Sequence, residues 1–181
     1  MQRNGNWIQT FTGKKMYPLD PRPEEICIED IAHALSNICR FCGHSREYYS
    51  VGQHSVYVSI HCGAGNGLWG LLHDASEAYL CDVARPIKLN REFAAYRKAE
   101  HALQDVIYAK FGLPNIGLPF DVVETDVRML VTEARDLGLY SADWELKAEP
   151  YKFTIEPQSS KSAERSFLDW WEVVTTRAAR T

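Results

Sequence analysis

The run Leu71-Leu72-His73-Asp74-Ala75-Ser76-Glu77-Ala78-Tyr79-Leu80-Cys81-Asp82 constrains this chain most. It sets an imidazole and three carboxylates among Leu71, Leu72, Ala75, Ala78 and Leu80, so part of the polar set is carried toward a core. Buried charge is costly unless it is paired, hydrogen-bonded or bound to a metal, so the fold must bring other polar groups to meet it. Residues three and four apart on a helix share a face, which sets Glu77 beside His73 and Asp74. The plainer alternative is a helix presenting a polar face to water.

Candidate partners lie on either side. Ser50-Val51-Gly52-Gln53 has the capping-box pattern, so a helix should begin there and carry His54 in its first turn, with Val58 and His61 along one face. A lone histidine of this kind also fits a hydrogen-bonded core residue. Farther on, Val127, Leu130, Val131, Ala134 and Leu137 recur at helical spacing, and Asp126 stands one turn before Leu130 at the edge of that stripe. Arg128 and Arg135 offer it an ordinary salt bridge. Taken together, His54, His73, Asp74 and Asp126 form a two-His, two-Asp set from three helices. That set suits Zn²⁺, Mn²⁺, Co²⁺ or Fe²⁺, and spacing does not choose among them.

The order His54, His73-Asp74, Asp126 resembles the H…HD…D pattern of HD-domain metal-dependent phosphohydrolases. The stretch HDASEAYLCDVARPIK resembles the HDxxE…D signature of the branch containing 5′-deoxynucleotidases and deoxynucleoside triphosphohydrolases. DIAHALSNICRFCGHSREYYSVGQHSVYVS is similar to the small phage-type members, which include dATP triphosphohydrolases. The likeness runs from about Trp7 to about Leu139. It implies an all-α, compact HD-domain helical bundle holding one divalent ion per subunit (Zn²⁺, Mn²⁺ or Co²⁺), with His54, His73, Asp74 and Asp126 as ligands.

The resemblance further implies that Glu77 orients the attacking water or shuttles its proton, and that Asp82 assists near the leaving group. Arg40 corresponds to a phosphate-gripping arginine, and Phe41 to an aromatic against sugar or base. This chain has Arg-Phe where the branch often has Arg-Trp. Lys88, after Arg85-Pro86, would be a second phosphate contact, with Pro86 shaping the pocket wall. The implied activity is hydrolysis of deoxynucleotide phosphates, foremost a dATP-preferring triphosphohydrolase releasing deoxynucleoside and triphosphate. The alternatives are a 5′-deoxynucleotidase acting on monophosphates and a non-catalytic nucleotide-binding HD module. Homo-oligomerisation, as a dimer or higher, is implied in the same way.

With 181 residues the chain suits a single domain, residues 1–181, with its core about 24–140 and a C-terminal helix about 162–177. A net charge of −4 argues against a nucleic-acid partner, since such domains are normally basic. No apolar run approaches the ~20 residues that span a bilayer, and the N-terminal stretch lacks the apolar core of a signal peptide. A cytoplasmic protein is expected, in the host's cytoplasm if phage-encoded. The five cysteines, an odd number, fit reduced thiols. Cys39 and Cys42 lack a second spaced pair, so a zinc-stabilised nucleic-acid adaptor is disfavoured and structural cysteines are expected.

The remaining elements follow from punctuation and period. Trp7 to Pro18 reads as a short hairpin around Thr12-Gly13. Helices are expected at about Ile28–Phe41, Val51–His61, Leu68–Leu80 and Arg91–Lys110, then around Asp126 and at Ser162–Arg177. Phe93, Tyr96, Leu103 and Ile107 fit a core-facing stripe. Residues 146–157 read as irregular, with Tyr151 to Ile155 the best strand candidate.

Overall fold

The structure, a computed structural model, describes residues 3–139 and 148–178. Its organising element is a helix over Val51–His61, here α2, which starts where the capping box predicts: Ser50 accepts a hydrogen bond from the Gln53 amide. Helices α1 (Ile28–Asn37), α3 (Gly67–Leu72), α7 (Phe120–Asp136) and α8 (Ser160–Ala178) pack around α2. Being surrounded, α2 buries residues on every side, including His54, which is fully buried. Helix α3 comes closest at Gly70, where an added Cβ would stand 2.8 Å from Ser59 Cα. Only glycine permits that approach.

The fold is mostly helical with a short N-terminal hairpin. Strands β1 (Ile8–Gln9) and β2 (Lys15–Met16) pair antiparallel, with Ile8 opposite Met16 and Gln9 opposite Lys15. Gly13 turns the chain at positive φ, and Thr12 binds the Asp30 carboxylate through both its amide and its hydroxyl. Helices α4 (Glu77–Leu80), α5 (Arg85–Lys88) and α6 (Ala94–Lys110) complete the described elements.

The first helix stops at Asn37, four residues before the expected Phe41. Backbone groups of Ile38 and Arg40 pair instead with Val51 and Tyr49, so they are not available to extend α1. Arg40–Gly43 forms a 3-10 turn in which Phe41 and Cys42 take positive φ values of 56° and 53°. Non-glycine residues seldom occupy that region, and such outliers cluster at functional sites.

The helix expected over Leu68–Leu80 is two short helices, α3 and α4, with tight turns across His73 to Ser76. There Ala75 bonds Leu72, Glu77 bonds Asp74 and Ala78 bonds Ala75, each three residues apart. In the long helix α6, Leu103 and Ile107 face the core, whereas Phe93 precedes the helix and is exposed. In α7 the buried face runs through Val122, Thr125, Met129, Thr132 and Glu133, with Val131 and Ala134 beside it; Val127 is exposed. Tyr151 to Ile155 form no strand; Arg135 binds the carbonyls of Tyr151 and Phe153 instead. Residues 140, 146 and 147 of the expected core and irregular segment lie outside the described residues. The final helix runs as expected, and its tryptophans pack: Trp170 donates to Ser59 and Trp171 meets Phe111 edge-on.

Candidate metal centre

Donor atoms of His54, His73 and Asp74 lie within 4.8 Å of one another, and Asp126 approaches the two histidines from a third segment. His54 comes from the first turn of α2, His73 and Asp74 from the turns after α3, and Asp126 from the second turn of α7. His54 Nε2 lies 3.3 Å from His73 Nε2 and 3.1 Å from Asp126 Oδ1. His73 Nε2 lies 3.1 Å from Asp74 Oδ2 and 3.9 Å from Asp126 Oδ1, while Asp74 Oδ2 is 3.8 Å from His54 Nε2. Nitrogen and oxygen ligands sit about 2.0–2.2 Å from a zinc-sized ion, so tetrahedral ligands stand roughly 3.3–3.6 Å from one another. The observed separations bracket that range. Ordinary salt bridges do not account for Asp126: Arg128 donates to the Glu149 carbonyl and Arg135 pairs with Asp136.

The imidazole protons sharpen the case. His54 Nδ1 is 2.6 Å from Glu133 Oε1, and Glu133 is fully buried with its pKa lowered. Burial pushes that carboxyl up, but the Arg40 guanidinium and His54 outweigh it, so it is an ionised acceptor and His54 Nδ1 carries the proton. His73 Nδ1 likewise donates, at 2.8 Å, to the Gly70 carbonyl. A neutral imidazole has only one N–H, so both Nε2 lone pairs face each other across 3.3 Å. A cation, metal or proton, must satisfy them. Without a metal, burial opposes protonation of His73, but Asp74 overcomes it and raises the group to about 9. His54 is raised too, although burial and Arg40 oppose it, through Glu133 and Asp126.

Charge points the same way. Asp74, Asp126 and Glu133 all have depressed pKa values, although burial opposes the ionisation of each. Positive charge on His73 and His54 lowers Asp74 and Asp126, and Arg40 followed by His54 lowers Glu133, so the set calls for positive charge beyond Arg40 that an imidazole proton or a bound metal ion can supply.

Glu133 escaped the sequence reading. It accepts from His54, from Tyr49 at 3.0 Å, and from Arg40 Nε and a terminal nitrogen at 3.1 and 2.9 Å. A carboxylate behind a ligand histidine fixes its ring and tautomer. The available signal was its spacing, seven residues and so two helical turns after Asp126, on the same face of α7. Arg40, expected to grip phosphate, is thereby anchored from behind. Its remaining nitrogen lies 3.8 Å from Asp74, and its carbon sits 5.2 Å from the Phe41 ring centre.

The other predicted residues form an adjoining group. Glu77 is buried, and Lys88 reaches it at 3.4 Å while holding Glu100 at 2.7 Å. Lys88 is therefore engaged by two carboxylates rather than free for phosphate. Burial, then Asp74 and Asp82, push the Glu77 carboxyl up to about 9, and its Oε2 has no hydrogen-bond partner. Burial also raises Asp82, against Arg40. Pro86 is exposed in the first turn of α5. The five cysteines are free, and His33 stacks on Phe11 and meets Glu164 at 3.1 Å. Among the described residues, no helix is long and apolar enough to cross a membrane.

No protein-family model matches the chain. It is 42% identical over 134 residues to the uncharacterized protein YfdR of Escherichia coli (strain K12), which covers 74% of each protein. It is 35% identical over 119 residues to an uncharacterized protein of Rhodobacter capsulatus, covering 61% of this chain and 60% of that one. At 42% identity over 74% of its length, the chain belongs to the same family as YfdR.

Proposed function

We propose that this protein is an HD-domain phosphohydrolase that uses one divalent cation, Zn²⁺, Mn²⁺ or Co²⁺, to hydrolyse deoxynucleotide phosphates in the cytoplasm. The observation that carries the reading is the pair of Nε2 lone pairs facing each other between two aspartates, with both Nδ1 protons committed elsewhere. When bound, the cation supplies a Lewis acid for a phosphoryl oxygen and lowers the pKa of water.

The chain's own groups would do the rest. Phosphoryl transfer asks chiefly for positioning and electrostatic stabilisation. Arg40, fixed by Glu133, turns one guanidinium nitrogen toward the donor cluster, where it can hold a non-bridging phosphate oxygen. Glu77 stands one turn past Asp74, and its unpartnered Oε2 can take or give a proton. Asp82, half-buried with a raised pKa, is placed by the resemblance near the leaving group.

Within this class, the resemblance favours a dATP triphosphohydrolase. One observation favours the 5′-deoxynucleotidase: Arg40 and Lys88 are already paired with buried carboxylates, leaving little uncompensated positive charge for a triphosphate chain. Product analysis separates the two. The stripped protein is reloaded with each metal and given all four dNTPs and dNMPs. Triphosphate plus deoxynucleoside identifies the first activity, and orthophosphate from dNMPs alone identifies the second. No turnover with any metal, while nucleotide still binds, rejects the enzyme in favour of a binding module.

A further inference from the structure

Adjacent residues on an α-helix do not face each other. Yet His73 Nε2 and Asp74 Oδ2 come within 3.1 Å, and the helix that should carry them is broken at that point. The break has a visible cause. A regular helix would join the Ser76 amide to the Leu72 carbonyl, four residues back. Here the Gln104 side chain meets both groups: its Oε1 accepts from Ser76 N at 2.9 Å, and its Nε2 donates at 2.7 Å to Leu72 O, which also accepts from Ala75 N at 3.0 Å. A side chain inserted into the helical ladder is a recognised origin of a sharp bend. Gln104 is itself buried on α6, so the amide is presented from a regular helix.

We infer that Gln104 is a positioning residue for the cation site: its amide replaces the Ser76–Leu72 helical bond and so stabilises the tight turns from which two consecutive residues can ligate one ion. The inference rests on the cation reading above. A primary amide is the group the gap requires, because one end must accept from an N–H and the other must donate to a carbonyl. Gln104 touches none of the four donor groups in the bonds described, and acts through the backbone that carries two of them.

The test uses Co²⁺ as the probe, by calorimetric titration and visible absorption of the full-length protein, so that it does not depend on turnover. Gln104→Leu keeps the side-chain bulk, frees Ser76 N and leaves Leu72 O with Ala75 N as its remaining partner, so that the Ser76–Leu72 helical bond can form. Co²⁺ binding should weaken about 10- to 100-fold, as for other residues that orient ligands, and the Co²⁺ absorption bands should shift. Gln104→Glu keeps the acceptor and loses the donor, and should fall between Leu and native; it carries the test if the leucine variant does not fold. A residue that merely filled space would lower the melting temperature of the metal-free protein while leaving Co²⁺ affinity and spectrum native. That result overturns the inference alone. A native protein that binds no Co²⁺ overturns it together with the cation reading.

Discussion

Two polar groups sit side by side in this molecule and solve the problem of buried charge differently. In the Glu77–Lys88–Glu100 group the protein supplies its own cation: Lys88 neutralises Glu100, and Glu77 keeps its proton to about 9. In the His54–His73–Asp74–Asp126 group it does so only in part. Arg40 balances only one of three ionised carboxylates, and both histidines spend their single N–H on fixed acceptors behind the site. The first group carries its own cation, with only Glu77 Oε2 left without a hydrogen-bond partner among its described neighbours. The second needs a further positive charge between its two Nε2 atoms, which an imidazole proton supplies in the metal-free protein and which the function proposed above assigns to a divalent ion.

Removing a donor should break that contrast most severely. Asp74→Asn or His54→Ala should abolish stoichiometric metal, measured by elemental analysis, and lower turnover by more than about 1000-fold, the equivalent of several kcal/mol of lost charge stabilisation. Glu77→Gln belongs to the other group and should leave metal content native while lowering the rate about 100- to 10,000-fold, a split that single-turnover kinetics resolves. Retained metal with full rate would remove Glu77 from the chemistry.

Smaller effects sharpen the boundary between the groups. Glu133→Gln keeps the shape of the carboxylate but places an amide against Arg40; metal affinity should fall about 10- to 100-fold, by titration. Lys88→Met takes the internal cation from the self-contained group. It should cost about 2 kcal/mol, as the loss of a charge-assisted pair, and lower the melting temperature by roughly 4–8 °C without altering metal affinity. A metal-affinity change in Lys88→Met would show that the two groups are one.

The least of these effects is a dependence on pH. Glu77 has its folded pKa raised to about 9 from the ordinary 4.5, so between those values the folded protein binds more protons than the unfolded chain. Stability contributed by keeping Glu77 neutral is present below about 4.5 and is lost as pH rises toward 9. In chelator, native protein should therefore lose more stability between pH 5 and 8 than Glu77→Gln, in melting curves taken at matched ionic strength. His73 titrates over an overlapping range in both proteins, so the difference between them isolates Glu77. Equal slopes would mean that Glu77 is ionised in the folded state.

The helices that carry the donors were legible because their causes are local. Ser50 and Gln53 set the start of α2 three residues apart, and the Thr12-Gly13 turn set the hairpin. The ends and interruptions were not legible, because their causes come from elsewhere in the chain. Pairing of Ile38 and Arg40 with Val51 and Tyr49 ends α1, and Gln104, from α6, takes the Ser76 amide. The stripe on α7 was misjudged at Val127 for the same reason: its apolar period is clear, but which neighbour covers it is a tertiary matter. Lys88 reads as a free cation in the sequence and is engaged by two carboxylates in the fold.

By itself, then, the sequence determined the residue types and their order: two imidazoles, two aspartates and a glutamate, on segments whose helical character follows from capping and period. Only the tertiary structure decided that His54, His73 and Asp74 converge with Asp126 beside the two histidines, that Glu133 and Gly70 hold the two ring protons, and that Gln104 takes the Ser76 amide that a regular helix would give to Leu72. Capping and period act over a few residues of chain. Convergence depends on helices far apart in sequence meeting at a fixed distance, which their packing around α2 and the hold of α6 on the His73–Asp74 segment set.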